Sequence, residues 1–257
     1  MTQIEFFYKG SICENCIQCG LCLEMDDYEE IKIFEGDIFI ISDGKFIKTL
    51  TADEFKVYYS FLGVLSKNDG KGKNFVYKKQ LNFSELALEL RLKGRTEGSI
   101  MTRQSLKTAF DNLVKKKVFK LAKLNKDEVY YIMTTQNYMF TRMPKETYTA
   151  FSKTLSGDAL KMFCYIKGNL DNVKSKGGNI LYITRTKIAT ECGITNTRGQ
   201  VGERQLKTVG TILKTLGSFG VIDYAMVKVN VDGKIKSRYE VYEVNTNIKK
   251  ENQKVGE

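Results

Sequence analysis

The chain has 257 residues, 42% of them hydrophobic, and a formal net charge of +11, so it is long enough for two ordinary domains. It contains no histidine, which excludes Ser-His-Asp and Cys-His catalysis and also zinc hydrolases with histidine ligands. The glycine-lysine stretch at residues 70–73 lacks the spacing of a phosphate-binding P-loop. We therefore expect a protein that is not an enzyme.

The charge is distributed unevenly along the chain. Residues 1–50 hold 4 of the 41 lysines and arginines but 10 of the 30 acids, which leaves 37 basic and 20 acidic residues, a net +17, for the rest. A body this basic favours a polyanionic partner, usually nucleic acid, although a lysine-rich sequence with solvated charges is an alternative. The N-terminus has no signal-peptide pattern and no segment is apolar enough to span a membrane, so we expect a cytoplasmic protein without a membrane partner.

Residues 1–50 contain four closely spaced cysteines, Cys13, Cys16, Cys19 and Cys22. Thiolates are soft ligands for zinc and for iron–sulfur clusters, and structural disulfides are rare in the cytoplasm. The segment from Cys16 to Cys22 resembles the cluster loop of bacterial ferredoxins, which implies a 4Fe-4S cluster. Where ferredoxins continue with Cys-Pro this chain has Asp26, so Cys13, Asp26 or a distant thiol would be the fourth ligand. Zinc held by two C-x-x-C pairs is the alternative.

After the cysteines, residues 31–34, 37–42 and 45–48 are predicted to be short strands separated by turns. We therefore interpret residues 1–50 as a cysteine-rich, metal-binding β module. Its acidity suggests that it contacts a protein partner or docks on the basic body of the same chain. Cys164 and Cys192 lie on apolar helix faces, for which burial is the simpler role.

An internal repeat of about a hundred residues follows, with copies at residues 51–135 and 155–245. Each copy begins with an apolar helix, with Thr51 and Ser156 as N-caps. A short strand comes next, and then a second helix, for which Ser84 and Thr184 are the expected caps. In the third helix Arg103-Gln104-Ser105-Leu106-Lys107-Thr108 is matched by Arg204-Gln205-Leu206-Lys207-Thr208. Each copy ends in a predicted hairpin, which turns at residues 125–127 and at residues 232–233.

The order helix, strand, helix, helix, hairpin resembles that of winged-helix DNA-binding domains. The resemblance implies an α+β fold of two tandem winged-helix domains, at residues 51–136 and 155–245. We expect a linker at residues 137–154, which contains Pro144, the only proline, and a disordered tail at residues 246–257. Tandem winged helices also resemble plasmid replication initiators in architecture.

In such domains the third helix enters the major groove, where its outward side chains contact base edges. The candidate residues on the third helices are Arg103, Gln104, Lys107 and Thr108 in the first copy, and Arg204, Gln205, Lys207, Thr208 and Thr211 in the second. The candidates on the loop before the second of these helices and on the hairpins are Arg198, Lys126, Lys234, Lys236 and Arg238. Each of them could instead be an ordinary solvated residue.

The sequence therefore predicts a sequence-specific protein that binds double-stranded DNA, such as a plasmid or phage replication initiator. The alternatives are a transcriptional regulator and a redox- or metal-responsive sensor whose output is DNA binding. An electron-transfer protein is disfavoured, because most of the chain would then have no role in its function. A protein-interaction scaffold is a further alternative, and failure to bind DNA at low salt would favour it. Two different reading helices would allow an asymmetric site, or direct repeats if several copies of the chain align.

Overall fold

The computed structural model describes residues 37–70, 73–94, 99–133, 139–231 and 234–244, which form a mixed α+β structure as predicted. The strands are β1 (Asp37–Ile41), β2 (Lys67–Asn68), β3 (Asn74–Tyr77), β4 (Phe119–Leu124), β5 (Asp127–Ile132), β6 (Phe140–Pro144), β7 (Leu181–Ile183), β8 (Ile222–Val231) and β9 (Lys234–Val244). The α-helices are α1 (Gly44–Ile47), α2 (Ala52–Ser60), α3 (Phe83–Leu90), α4 (Arg103–Lys115), α5 (Lys145–Thr154), α6 (Gly157–Ser175), α7 (Arg185–Glu191) and α8 (Glu203–Ser218). A π-helical turn at Phe61–Leu65 continues α2, and a 3-10 turn at Lys78–Gln80 precedes α3. Among the described residues, no helix has both the length and the apolarity that crossing a membrane requires.

The first long helix of each copy starts where the sequence predicts. Thr51 Oγ1 accepts a hydrogen bond from the Glu54 amide at 3.2 Å, and the Glu54 carboxylate accepts one from the Thr51 amide at 2.8 Å. This reciprocal pair is a capping box at the start of α2. Ser156 Oγ caps α6 in the simpler way, because it accepts from the Ala159 amide at 3.2 Å. The two caps therefore define equivalent positions in the two copies.

The first copy continues with β3, α3, α4 and the β4–β5 hairpin, in a sheet with the strand order β2-β3-β5-β4. The cap of α3 is Asn82, whose side chain accepts from the Ser84 amide at 3.1 Å. The prediction of Ser84 as the cap is thus wrong by two residues. Asn82 has extended backbone and a short side chain that reaches the amide two residues further on, and Ser84 is already inside the helix. The helix ends at Arg91, which has a left-handed φ of 44°.

The second copy continues with β7, α7, α8 and the β8–β9 hairpin, in a sheet with the strand order β7-β9-β8. Thr184 caps α7 as predicted, because its hydroxyl accepts from the Lys187 amide at 3.2 Å. The chain turns after α7 at Gly193, whose φ of 65° favours glycine. In both copies the strand that precedes the second helix, β3 or β7, lies beside the last strand of the copy, β5 or β9, so the two copies share this strand order.

The repeat extends further towards the N-terminus than the sequence indicates. β1 pairs antiparallel with β6, and each of these strands is followed by a helix that leads into the first long helix of its copy. Residues 140–154, part of the predicted linker, form β6 and α5. Met143, Tyr148 and Phe151 are buried in the same cluster as the side chains of both copies. This segment belongs to the core and is not a linker.

The strand predicted at residues 45–48 is also wrong, because residues 44–47 form α1. The Asp43 carboxylate accepts from the Lys45 amide at 2.7 Å, and the Asp43 carbonyl accepts from the Ile47 amide at 2.9 Å. The Asp43 side chain accepts a hydrogen bond from an amide of the following turn, and this local bond favours a helix start over an extended strand. Residues 37–41 do form a strand, as predicted.

Two buried lysines join the first long helices of the copies. Lys56 on α2 is 1% exposed, and its Nζ donates to the carbonyls of Lys93 and Leu155, both at 2.7 Å. Lys161 on α6 is also 1% exposed, and its Nζ donates to the Leu50 carbonyl at 2.7 Å. A buried ammonium needs such acceptors because leaving water costs several kcal/mol for an unpaired charge. Each lysine thereby ties one copy to the backbone of the other.

Candidate nucleic-acid interface

The third helix of the first copy turns its predicted contact residues outward. Thr102 caps α4 by accepting from the Ser105 amide at 3.2 Å. Leu106, Phe110 and Leu113 are buried on the inner side of the helix. All four candidates lie on the exposed side: Arg103, Gln104, Lys107 and Thr108. The fold therefore brings these residues onto one surface, as the sequence predicts.

Some of these side chains are already engaged with one another. Lys107 Nζ lies 2.6 Å from the Asp111 carboxylate, one helical turn away, and both side chains are about half exposed. Gln104 Nε2 donates weakly to Thr108 Oγ1 at 3.4 Å. An exposed ion pair of this kind contributes little stability, so Lys107 can exchange Asp111 for another anion at small cost.

A groove of about 650 Å³ lies beside the start of α4, between this helix and α3. Its lining includes two arginines, Arg91 and Arg103, together with Leu88 and Ile100. Leu88 is 77% exposed and Ile100 is 46% exposed, so apolar surface is flanked by two cations. The interface predicted from the sequence does not include Arg91, Leu88 or Ile100. Leu88 comes two residues after the buried Leu86, so it does not lie on the buried side of the helix. This spacing was the sequence signal that Leu88 is an exposed apolar residue.

The third helix of the second copy shows a similar exposed side. Arg204, Lys207 and Thr211 are exposed, and Lys207 Nζ is 3.4 Å from the Glu203 carboxylate, with both side chains more than three-quarters exposed. The side chain of Gln205, a predicted contact residue, is engaged within the protein. Its oxygen accepts a hydrogen bond from the Gly202 amide at 3.1 Å and so caps the start of α8. Thr208 Oγ1 donates back to the Arg204 carbonyl at 3.0 Å. Arg204 and Lys207 are thus the residues best placed to contact a ligand.

The caps show that the Arg-Gln part of the sequence match between the two third helices is displaced by one residue, whereas the Leu-Lys-Thr part is in register. Thr102 caps α4 and Gly202 caps α8, so Lys107 corresponds to Lys207 and Thr108 to Thr208. The matched Arg-Gln pairs are not equivalent, because Arg103 stands where the second copy has Glu203. Gln104 likewise stands where the second copy has Arg204. The cause is one extra residue, Ser105, between the Arg-Gln pair and Leu106 in the first copy.

Arg185 is a further cation beside α8 that the sequence analysis missed. It is the first residue of α7. Its guanidinium Nη1 lies 3.6 Å from the place that a Cβ at Gly210 would occupy. The arginine therefore lies in van der Waals range of the helix surface at this position. Arg185 and Gly210 lie on different helices, and no sequence pattern links one arginine to one glycine 25 residues later. The sequence alone therefore could not reveal this contact.

The loop before α8 presents Arg198 at the surface. Asn196 Oδ1 accepts from the amides of Arg198 and Gln200, both at 2.9 Å, and Gly199 has a left-handed φ of 74°. These bonds make an Asx-type turn that holds a short loop in one shape. Arg198 is therefore exposed on an ordered turn, and its contact with DNA stays a prediction.

The two hairpins differ in length and in the state of their cations. In the first, Leu124 pairs with Asp127, and the exposed Lys126 lies in the two-residue turn between β4 and β5. In the second, Lys234 and Lys236 occupy alternate positions at the start of β9. Arg238 is engaged within the sheet, with its guanidinium 4.2 Å from the centre of the Tyr182 ring and 3.3 Å from the Glu240 carboxylate. These two contacts leave Arg238 less available to a ligand than a solvated arginine would be.

The candidate metal ligands Cys13, Cys16, Cys19 and Cys22 lie outside the described residues. Cys164 and Cys192 are fully buried free thiols, as the sequence suggests. Burial raises the pKa of both thiols well above the ordinary value, so they stay protonated at neutral pH. Within the ranges that the structure describes, no group of three or more metal-ligating side chains comes together.

As a whole, the chain matches no protein-family model, no curated protein and no solved structure.

Proposed function

We propose that the protein binds double-stranded DNA through two winged-helix units, residues 51–136 and 155–245, and that it is not an enzyme. One observation carries the proposal: the order helix, strand, helix, helix, hairpin occurs twice, each time with the strand before the second helix beside the last strand. In a winged helix the third helix enters the major groove, and the hairpin reaches the flanking backbone. The exposed arginine and lysine side chains of α4 and α8 support this assignment.

The side chains suggest different roles within this surface. Arg103 and Arg204 lie in the first turn of their helices, where a guanidinium can donate two hydrogen bonds to one guanine. Lys107 and Lys207 lie one turn further along and suit phosphate oxygens, to which a flexible ammonium needs no fixed orientation. Leu88 and Ile100 beside Arg103 suit the methyl groups of thymines or the sugar edge.

The narrower biological role that we propose is a replication initiator of a plasmid or phage, which would place the protein in the cytoplasm. The tandem arrangement and the net charge of +17 on residues 51–257 support DNA binding. A transcriptional regulator would use the same surface. The two roles separate when the genomic site is mapped, because an initiator binds an origin of replication and a regulator binds promoters.

The test of DNA binding is the salt dependence of affinity for a duplex, measured by fluorescence anisotropy. The full chain should lose affinity steeply as salt rises, because each neutralised phosphate releases counterions. The double variant Lys107→Ala, Lys207→Ala should bind more weakly and reduce the salt slope by about 2, which is about 1 for each phosphate-contacting cation removed. A slope that stays unchanged would place the DNA elsewhere on the chain.

The matched control is the double variant Lys174→Ala, Lys176→Ala, which removes the same charge. Both lysines are exposed at the end of α6. The loop that follows these lysines leads to the start of β7 at Leu181, which pairs with Val241. The end of β7 at Ile183 pairs with Tyr239, which is nearer the hairpin turn. The two lysines thus precede the end of β7 that is farther from the hairpin turn. The control should retain nearly the wild-type slope. Equal losses in both double variants would indicate nonspecific attraction without a defined interface.

A further inference from the structure

The two copies contact each other through equivalent residues. The caps Thr51 and Ser156 align the copies, so that Lys56 corresponds to Lys161 and Leu50 to Leu155. Lys56 Nζ donates to the Leu155 carbonyl, and Lys161 Nζ donates to the Leu50 carbonyl, both at 2.7 Å. The contact is thus unchanged when the two copies are exchanged. Only a twofold rotation has this property, as in the symmetric interface of a homodimer.

The strands that open the two copies show the same symmetry independently. β1 and β6 pair antiparallel, with Asp37 opposite Pro144 and Ile41 opposite Phe140. Each strand thus meets its own counterpart head to tail, and the alignment of the caps puts the centre of the pair at Ile38 and Met143, which correspond to each other and lie opposite each other. A twofold axis that passes through this centre exchanges the two strands.

The start of the first helices gives a third contact of this kind. Ala52 and Gly157 are the first residues of α2 and α6, and they correspond to each other in the two copies. A Cβ on Gly157 would collide with the Ala52 carbonyl, so the two helix starts touch backbone to backbone. The glycine is needed because the helix starts approach each other so closely.

We infer that the DNA site of this protein consists of two half-sites in inverted orientation, one for each copy. The inference rests on the proposed DNA binding. The same rotation that relates the copies carries α4 onto α8, so the two reading surfaces have opposite directions along a duplex. B-DNA has twofold axes perpendicular to its length, and a pair of symmetric reading helices contacts both half-sites equally only when the axes coincide. A direct repeat within one site does not fit this arrangement.

The half-sites are related but not identical. Lys107 and Thr108 have the same residue types at their equivalents, Lys207 and Thr208, so contacts made there recur in both half-sites. The first turns differ, because Arg103 corresponds to Glu203 and Gln104 to Arg204. The base pairs that these side chains contact are therefore expected to differ between the two half-sites. The site is therefore an imperfect inverted repeat bound by a single chain.

The experiment is selection of duplexes from a randomised library by the full-length chain, followed by affinity measurements on the selected site. The expected consensus has two half-sites in inverted orientation. Reversing one half-site in place, at constant spacing, should weaken binding by about 100-fold, because only one copy then binds its base pairs while the other is restricted to phosphates. A consensus with direct half-sites, or equal affinity for the reversed duplex, would overturn the inference.

Two single variants assign the half-sites. Arg103→Ala should relax base preference in one half-site only, and Arg204→Ala should relax it in the other. Relaxation in the same half-site by both variants would contradict one reading helix per half-site. Failure of the proposed function has a different signature, since the chain would then enrich no sequence from the library.

Discussion

Tyr148 lies flat against Tyr59, with 3.5 Å between the ring centroids and 12° between the ring planes. Both rings are fully buried. Tyr148 comes from α5, in the stretch that joins the two copies, and Tyr59 comes from the first long helix of the first copy. The Tyr59 hydroxyl also lies 2.9 Å from the sulfur of Met143 on β6. The joining segment is therefore fixed to the core by aromatic and sulfur contacts.

This packing predicts a large loss of stability when the ring at position 148 is removed. Tyr148→Ala should lower the free energy of unfolding by about 3–5 kcal/mol, as truncation of a buried aromatic side chain leaves a cavity. Tyr148→Phe keeps the stacked ring and should remain much closer to the wild type. Denaturant unfolding followed by circular dichroism measures both. Wild-type stability of the alanine variant would mean that α5 is not part of the core.

The sequence predicted the elements within each copy better than the contacts between the copies. The caps Thr51, Ser156 and Thr184 act on amides three residues away, so local patterns suffice to find them. The pairing of β1 with β6 joins residues about a hundred positions apart, which no local pattern encodes. Lys56 and Lys161 look like ordinary surface cations of a helix, and only the packing of one copy on the other buries them. The outward side of α4 follows from the spacing of Leu106 and Phe110.

Lys56 gives the stability of the protein a defined pH dependence. Desolvation by burial lowers the pKa of Lys56 to about 8, with Asp53 raising it and Lys93 lowering it further. The unfolded chain keeps the ordinary value of 10.5, so between these two pH values the unfolded state binds more protons than the folded one. The contribution of Lys56 to stability therefore rises as pH rises through this window. Lys56→Met should lack this rise.

The measurement is the difference in unfolding free energy between the wild type and Lys56→Met at several pH values from 7 to about 10. The difference should shift in favour of the wild type by at most about 1.4 kcal/mol for each pH unit above 8. Buried groups such as Tyr58 and Cys164 have raised pKa values and destabilise both proteins at alkaline pH. Their effect cancels in the difference. A difference that stays constant with pH would show that Lys56 does not titrate in this range.

The ion pair between Lys107 and Asp111 predicts a variant with stronger DNA binding. Asp111→Asn removes a carboxylate from the exposed side of α4 and releases Lys107 from its partner at 2.6 Å. Affinity for duplex DNA should increase several-fold at low salt, and the gain should shrink as salt screens the charges. The second copy has the uncharged Thr211 at the equivalent position. Anisotropy titrations at two salt concentrations measure the effect.

The control for this variant is Glu243→Gln, which removes one negative charge from an exposed residue near the end of β9. Glu243 pairs with Asp223 at the end of the hairpin that is farthest from its turn. It should change affinity much less than Asp111→Asn. An equal gain from both substitutions would mean that net charge alone controls binding, and a loss of affinity in Asp111→Asn would exclude α4 from the contact surface.

The cysteines should fall into two classes when they are titrated with a thiol reagent. Cys164 and Cys192 are fully buried, and burial raises the pKa of each thiol, so the reactive thiolate is scarce. They should react only after the protein is unfolded. The four N-terminal cysteines should react quickly in native protein once a chelator has removed the metal, and slowly before, because metal-bound thiolates are protected. Six thiols that react at one rate would contradict this division.

The identity of the metal follows from the same preparation, purified without oxygen. A brown protein that contains iron and sulfide would have the cluster that the ferredoxin-like spacing implies, whereas a colourless protein with zinc would have the alternative site. The variant with Cys13, Cys16, Cys19 and Cys22 all replaced by serine should bind neither metal. Cys164→Ala, the matched control, should keep the full metal content, because the Cys164 thiol of the wild type is buried on α6 and remains protonated.

A role of the metal in regulation is tested by measuring DNA affinity with and without chelator. If chelation changes DNA affinity in the wild type but not in the four-serine variant, the metal regulates binding. Equal affinity in both states would limit the metal to a structural role.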